Sequence, residues 1–197
     1  MTTKFRTWKY WWDEWVKPIL IAAVFALFIR TFIIQPFKIP SNSMYPTLQP
    51  GDRIFVNKFV YGARIPFTDI SLPDVRPPET GDIVVFTSPI EKKKYLVKRF
   101  IASGGQSVQI TDGELFIDGK RVEKNPIKDF FYYNREEYGG KGKVIHVPEG
   151  SFYVLGDNSA NSMDSRYWGF VPDKNLVGEA FVIHWPIKRI GLILKEK

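Results

Sequence analysis

The sequence predicts a mainly β protein: an N-terminal transmembrane helix, then an antiparallel β core carrying a small inserted β lobe. Three observations predict it. One apolar run long enough to enter a bilayer lies at residues 18–34. From position 52 onward the chain is written in short β-branched and aromatic segments, without helical periodicity. The pairs Asp112-Gly113 and Asp118-Gly119 punctuate those segments as tight hairpin turns do.

The apolar run, interrupted only by Arg30, spans about 25 Å as a helix, the lower limit for crossing the hydrocarbon core. Upstream, Trp8, Trp11, Trp12 and Trp15 fall at i, i+3, i+4 and i+7, which places them on one helical face at the depth of an interfacial aromatic belt. Residues 1–17 are therefore expected in the cytoplasm or the headgroup layer, and 18–34 as a retained anchor. No small-x-small cleavage pattern follows the run. Lys4, Arg6, Lys9 and Lys17 precede it while only Arg30 and Lys38 mark its far end, a bias that keeps the N-terminus cytoplasmic and sends residues 35–197 outside.

Segments 53–60, 82–86 and 95–101 read as strands, the first two separated by a proline-rich connection at 66–78. A meander follows at 107–123, then an excursion at 125–143 expected to be mobile. Together they bound the inserted lobe at approximately 105–148. Strands resume at 144–147 and 151–155, a polar loop covers 157–167, and 180–185 and 190–194 close the chain.

The formal net charge is +7. Basic residues near anionic headgroups gain about 1 kcal/mol each, so a bilayer is the economical partner. Runs such as Lys92-Lys93-Lys94 read as solvated loop charge, and no helix-turn-helix, zinc-finger or ribonucleoprotein pattern supports nucleic acid. With no cysteine, disulfides and thiolate metal sites are excluded. Two histidines without metal-ligand spacing argue against a metal hydrolase, and no cofactor is expected.

The stretch 39–48, just beyond the apolar run, offers a candidate reactive serine, and a hydroxyl needs a base to become a nucleophile. His146 and His184 each sit inside an apolar strand pattern and read as structural residues. Lysine serves instead if burial lowers its pKa from about 10.4. Period-two alternation puts Lys98 on the face of Leu96 and Phe100, with Arg99 facing the other way beside Val97. From the pattern alone, Lys98 snorkelling to solvent from a strand edge is the commoner outcome.

Four blocks bear on that choice: Pro40-Ser41-Asn42-Ser43-Met44-Tyr45-Pro46-Thr47-Leu48; Gly81-Asp82-Ile83-Val84-Val85-Phe86; Val97-Lys98-Arg99; and Gly156-Asp157-Asn158 continuing through Asn161-Ser162-Met163-Asp164-Ser165-Arg166 to Pro172. Their order behind one apolar span resembles the type I signal peptidases, membrane-anchored Ser-Lys leader peptidases. The resemblance implies a serine endopeptidase that removes signal peptides from exported preproteins on the outer side of the cytoplasmic membrane. By it, Ser43 is the nucleophile and Lys98 the general base. The Ser41 hydroxyl and the Ser43 N–H form the oxyanion hole, Ser162 orients the lysine, and Asp164 with Arg166 braces the site. Ile39, Met44, Leu48, Leu96 and Val97 fall where the family lines its apolar substrate pockets, although each also suits an ordinary core. Tyr45, Thr47 and Asp52 receive no catalytic role. The chain departs from the common pattern at Asn42 and at Ser159-Ala160, where an arginine and a polar residue often stand. Two rivals remain: a self-cleaving Ser-Lys protease of the repressor type, which lacks support without a DNA-binding domain, and a catalytically silent anchored β module that binds exported proteins. The oligomeric state is not legible in the sequence.

Overall fold

The computed structural model describes residues 8–62, 73–91 and 93–193. Lys4, Arg6, Lys92, Leu194 and positions 66–72 of the proline-rich connection lie outside the described residues.

The chain begins helical, passes through a π-helix at Trp12–Val16, and continues as helix α1, Lys17–Phe32. Helix α1 ends short of the expected boundary: Ile34 already belongs to strand β1, Ile34–Lys38. Among the described residues, no helix is long and apolar enough to cross a membrane. Of the four tryptophans near the start of the chain, Trp12 and Trp15 fall within the π-helix. All four indoles are exposed, as are Leu20, Val24, Phe25 and Leu27.

Strand β1 was not anticipated, because Pro36 argues against a ladder position. It is tolerated because β1 is an edge strand, where a missing N–H costs no pairing. Its partner β2, Arg53–Asn57, runs antiparallel with Phe37 opposite Ile54. The main sheet continues with β3 (Ile83–Thr87), β4 (Tyr95–Ser103), β9 (Ser151–Leu155), β10 (Val171–Pro172), β11 (Leu176–Trp185) and β12 (Gly191–Leu192). Its order is β1-β2-β11-β3-β4-β9-β10, with β12 also on β11. Every pairing is antiparallel.

A second, four-stranded sheet, ordered β7-β6-β5-β8, comprises β5 (Ser107–Thr111), β6 (Glu114–Ile117), β7 (Lys120–Arg121) and β8 (Val144–His146). Both Asp-Gly turns adopt positive φ at each residue, 51° and 85° at the first and 51° and 73° at the second, as tight hairpins of primed type require. The segment 125–143 is packed, contrary to the expected mobile excursion. Ile127 and Tyr132 are each 1% exposed, Tyr132 N–H donates to Gly113 O at 2.8 Å, and Asn134 Nδ2 donates to Ile110 O at 3.0 Å. Ile127, Phe130, Tyr132 and Tyr138 pack into the cluster that joins the two sheets.

Strand β3 is buried on both faces, which explains its continuous apolar run. Ile83 and Val85 join Ile39, Met44, Leu48 and Ile54 in one cluster, whereas Val84 and Phe86 join Phe100, Phe152 and Val154 in another. A third cluster, with Ile101, Val108, Leu115, Tyr132 and Tyr153, unites the main sheet with the smaller one. Strand β4 contributes to all three, and so sits at the centre of the molecule.

Candidate active site

Strand β1 runs into a turn closed on itself by two backbone bonds, Ile39 N–H to Asp52 O at 2.8 Å and Gly51 N–H to Ile39 O at 2.9 Å. Gly51 holds φ at +95°, a conformation that disfavours other residues. Met44 and Leu48, 1% and 0% exposed, point into the core and leave Ser43 on the open side. Arg189 clasps Asp52 with Nε–Oδ1 at 2.9 Å and donates from a second nitrogen to Thr47 O at 3.2 Å.

On β4, Lys98 is 4% exposed, and its Nζ donates to Ser43 Oγ at 2.7 Å. Burial brings its pKa down to about 8; the carboxylates of Asp164 and Asp157 work against that shift, and the Arg166 guanidinium works with it. The amine is thus neutral over an accessible pH range. Ser41 Oγ lies 3.4 Å from Ser43 Oγ. The two histidines lie elsewhere: His184 stacks on Phe55 at 4.1 Å, and His146 pairs with Ser107 in the smaller sheet.

The third wall is the loop after β9. Asn158 N–H donates to Ser43 O at 3.0 Å, and its side chain donates to Asn42 O at 3.1 Å. Gly156 is obligatory in this packing, since a Cβ there would stand 2.1 Å from Ser162 Oγ and 2.6 Å from Ser43 O. Ser162 is buried close by, and its Oγ has no hydrogen-bond partner among the described residues. The expected bond from Ser162 to Lys98 is therefore not made in this structure. Asp164 and Arg166, both 0% exposed, form a bidentate pair with each contact at 2.8 Å. Asp164 also accepts from Gly156 N–H at 2.9 Å and caps the short helix α2, Ser165–Trp168. The guanidinium continues to Ser159 Oγ at 2.6 Å and Tyr133 O at 2.9 Å. These bonds hold the loop's shape and link it to the segment 125–143.

A cleft of about 510 Å³ runs past Ser43 and Lys98. Ile39, Met44, Leu96 and Val97 line it, together with Phe37, Tyr95, Met163 and Trp168. Leu48, expected among the pocket residues, is instead sealed in the core beneath. One node escaped sequence reasoning. Arg99 forms a bidentate pair with Asp157 at 2.7 and 2.6 Å, and Thr47 Oγ1 donates to the same carboxylate at 2.5 Å. The available hint was the arginine beside Lys98 on a buried strand, which needs a carboxylate from somewhere. Among the described residues, no group of three or more histidine, aspartate or glutamate side chains is arranged to hold a metal ion.

This geometry can activate a serine hydroxyl through a buried amine beside an apolar cleft. Residues 12–185 match the family described as "Signal peptidase, peptidase S26". The chain is 39% identical over 190 residues to "Probable signal peptidase I-2" of Synechocystis sp., covering 94% of this chain and 78% of the relative. It is 36% identical over 183 residues to "Signal peptidase I T" of Bacillus subtilis, covering 90% and 87%. A solved signal peptidase I from Enterococcus faecalis superimposes at TM-score 0.44 with 31% identity, over 54% of this chain and 98% of that one.

Proposed function

The chain belongs to the peptidase S26 signal peptidase family, and on that premise we propose that it cleaves signal peptides from exported preproteins with a Ser43–Lys98 dyad at a membrane surface. The observation that carries the dyad is the 2.7 Å contact between Lys98 Nζ and Ser43 Oγ, made by an amine 4% exposed. Neutral Lys98 takes the Ser43 proton as Oγ attacks the carbonyl before the scissile bond. The oxyanion that forms is held by the Ser43 N–H and the Ser41 hydroxyl, where one donor is commonly worth about 3 kcal/mol. The ammonium of Lys98 then protonates the leaving amine. Water, deprotonated by the same lysine, hydrolyses the acyl-enzyme and returns Ser43 to its hydroxyl form.

The substrate binds extended against the edge of β1 and the open margin of β4, with small residues at the first and third positions before the cut. Ser162 stays buried beside Gly156 without a bond to the amine, and the Asp164–Arg166 pair keeps the loop in place. Helix α1, with its exposed apolar side chains, is the membrane-embedded element. Its 16 residues give about 24 Å, so the bilayer thins or the flanking indoles settle into the headgroups to accommodate it. The catalytic part lies on the outer side of the cytoplasmic membrane, and sharing one layer with its substrate raises their effective concentration.

The test compares purified wild type with Ser43→Ala and Lys98→Ala on a preprotein bearing an Ala-x-Ala cleavage site. Wild type cuts after that site, and both variants are folded and inactive. A wild type that binds without cutting replaces this reading with the silent module, and variants as active as wild type remove the dyad.

A further inference from the structure

The side chains that present Ser43 and Lys98 to each other come from three separate segments: the turn after β1, strand β4, and the loop after β9. Their polar meeting point is Thr47. Its hydroxyl donates to Asp157 Oδ2 at 2.5 Å and lies 3.4 Å from an Arg99 terminal nitrogen. Arg99 adjoins Lys98 on β4 and also donates to Gly81 O at 2.7 Å, which fixes that strand's position. Asp157 adjoins Asn158, whose N–H holds the Ser43 carbonyl at 3.0 Å. On its other side, Thr47 gives its carbonyl to Arg189, itself paired with Asp52. Thr47 is thus held between two arginine–aspartate pairs, four residues from the nucleophile.

We propose that Thr47 is a positioning residue, whose hydroxyl joins the Ser43 turn to the Arg99–Asp157 pair and thereby sets the distance from Ser43 Oγ to Lys98 Nζ. The proposal rests on the Ser43–Lys98 reading above. The pair is rigid because both partners are buried, at 3% for Arg99 and 5% for Asp157, and because a bidentate guanidinium fixes orientation as well as distance. Deleting the hydroxyl leaves the turn held by apolar packing and the Arg189 clasp, which resist its departure more than its sliding along β4. A displacement of about 1 Å between reacting groups is sufficient to slow a reaction about 100-fold. Thr47 does not line the cleft, so it makes no direct contact with a substrate held there.

The test uses the full chain in detergent with Thr47→Val, which keeps the shape, and Thr47→Ser, which keeps the hydroxyl. Thr47→Ala serves if the valine variant does not fold. Cleavage of an Ala-x-Ala preprotein and the pH dependence of Ser43 labelling by a serine-directed acylating probe are measured below the melting temperature of each variant. Thr47→Val is expected to lose 10- to 100-fold in kcat at unchanged KM. Its labelling rate falls at every pH with the same apparent pKa, and Thr47→Ser stays within about threefold of wild type, well inside that loss. A wild-type kcat in the hydroxyl-less variants overturns the proposal. So does an equal loss in Thr47→Ser, or an apparent pKa displaced toward that of free lysine, since the defect would then be hydration of Lys98. If wild type does not cut the preprotein but labels at Ser43, the substrate reading falls, and the labelling series alone decides the role of Thr47.

Discussion

Lys98 and Arg99 are neighbours on β4, buried to 4% and 3% exposure, and they meet opposite fates on the strand's two faces. On one face the amine meets a serine hydroxyl and, among the described residues, forms no ion pair, and burial lowers its pKa to about 8. On the other, burial pulls the guanidinium's pKa down, but both oxygens of Asp157, together with the nearby Tyr132 and Asp82, hold it above the ordinary arginine value. Similar burial leaves an amine with a lowered pKa in one case and a paired structural cation in the other. The deciding quantity is what each buried charge is given to bond with. The same molecule carries the exposed pair Glu91–Lys94 at 2.7 Å, just as short, which has neither role because water surrounds both partners.

The largest effect that breaks the comparison is replacement of the unpaired cation. Lys98→Met loses on the order of 10⁴-fold in cleavage, the upper range for a general base. It also gains stability at pH 7, because a protein that must keep an amine buried folds more easily without it. The sign follows from linkage: below about 8 the folded state must protonate a buried group, whereas the unfolded lysine stays protonated up to about 10.4. The penalty is therefore full below about 8 and relieved as pH rises toward 10.4, amounting to about 3 kcal/mol. Thermal melts of both proteins at pH 7 and pH 10 check it. The melting-temperature gain of Lys98→Met shrinks at the higher pH, and a variant less stable than wild type at pH 7 contradicts the burial account. Wild-type cleavage rises with pH and levels off above about 8, and a profile flat from pH 6 to 10 removes the lysine as base.

Breaking the paired face has the opposite signature. Asp157→Asn leaves Arg99 buried without a counter-charge, at about 3–5 kcal/mol of stability, and lowers kcat through the displaced Ser43 turn. Urea denaturation measures the first, and an unchanged midpoint argues that the pair is ornamental. Smallest of all is Glu91→Gln on the cleft rim, within about 0.5 kcal/mol in the same assay, because both side chains are more than half exposed. A large loss there places that pair in a role its exposure does not predict.

What was readable in advance was local. The hairpin turns follow from Asp-Gly conformational preferences, strands β3, β5, β6 and β9 from side-chain pattern, and the apolar N-terminal helix from its composition. Ser43 and Lys98 were reached through motif order, because alternation alone favoured Lys98 in water. Strand β1 was missed since a proline within a run reads as a break until its edge position is known. The helix boundary was misplaced because Ile33 and Ile34 are as apolar as the helix they follow, and pairing with β2 decides where the strand begins.

Sequence by itself determined which residue types were available: a serine motif behind an apolar run, a lysine and an arginine side by side, and acidic residues far along the chain. Tertiary structure decided that Asp157 would face Arg99 rather than Lys98, that Thr47 would join them, and that the segment 125–143 would pack down and reach Arg166. The physical reason is that hydrogen bonding and desolvation depend on neighbours in space. Residues 43, 98 and 157 acquire one another only when the sheet brings their strands and loops together.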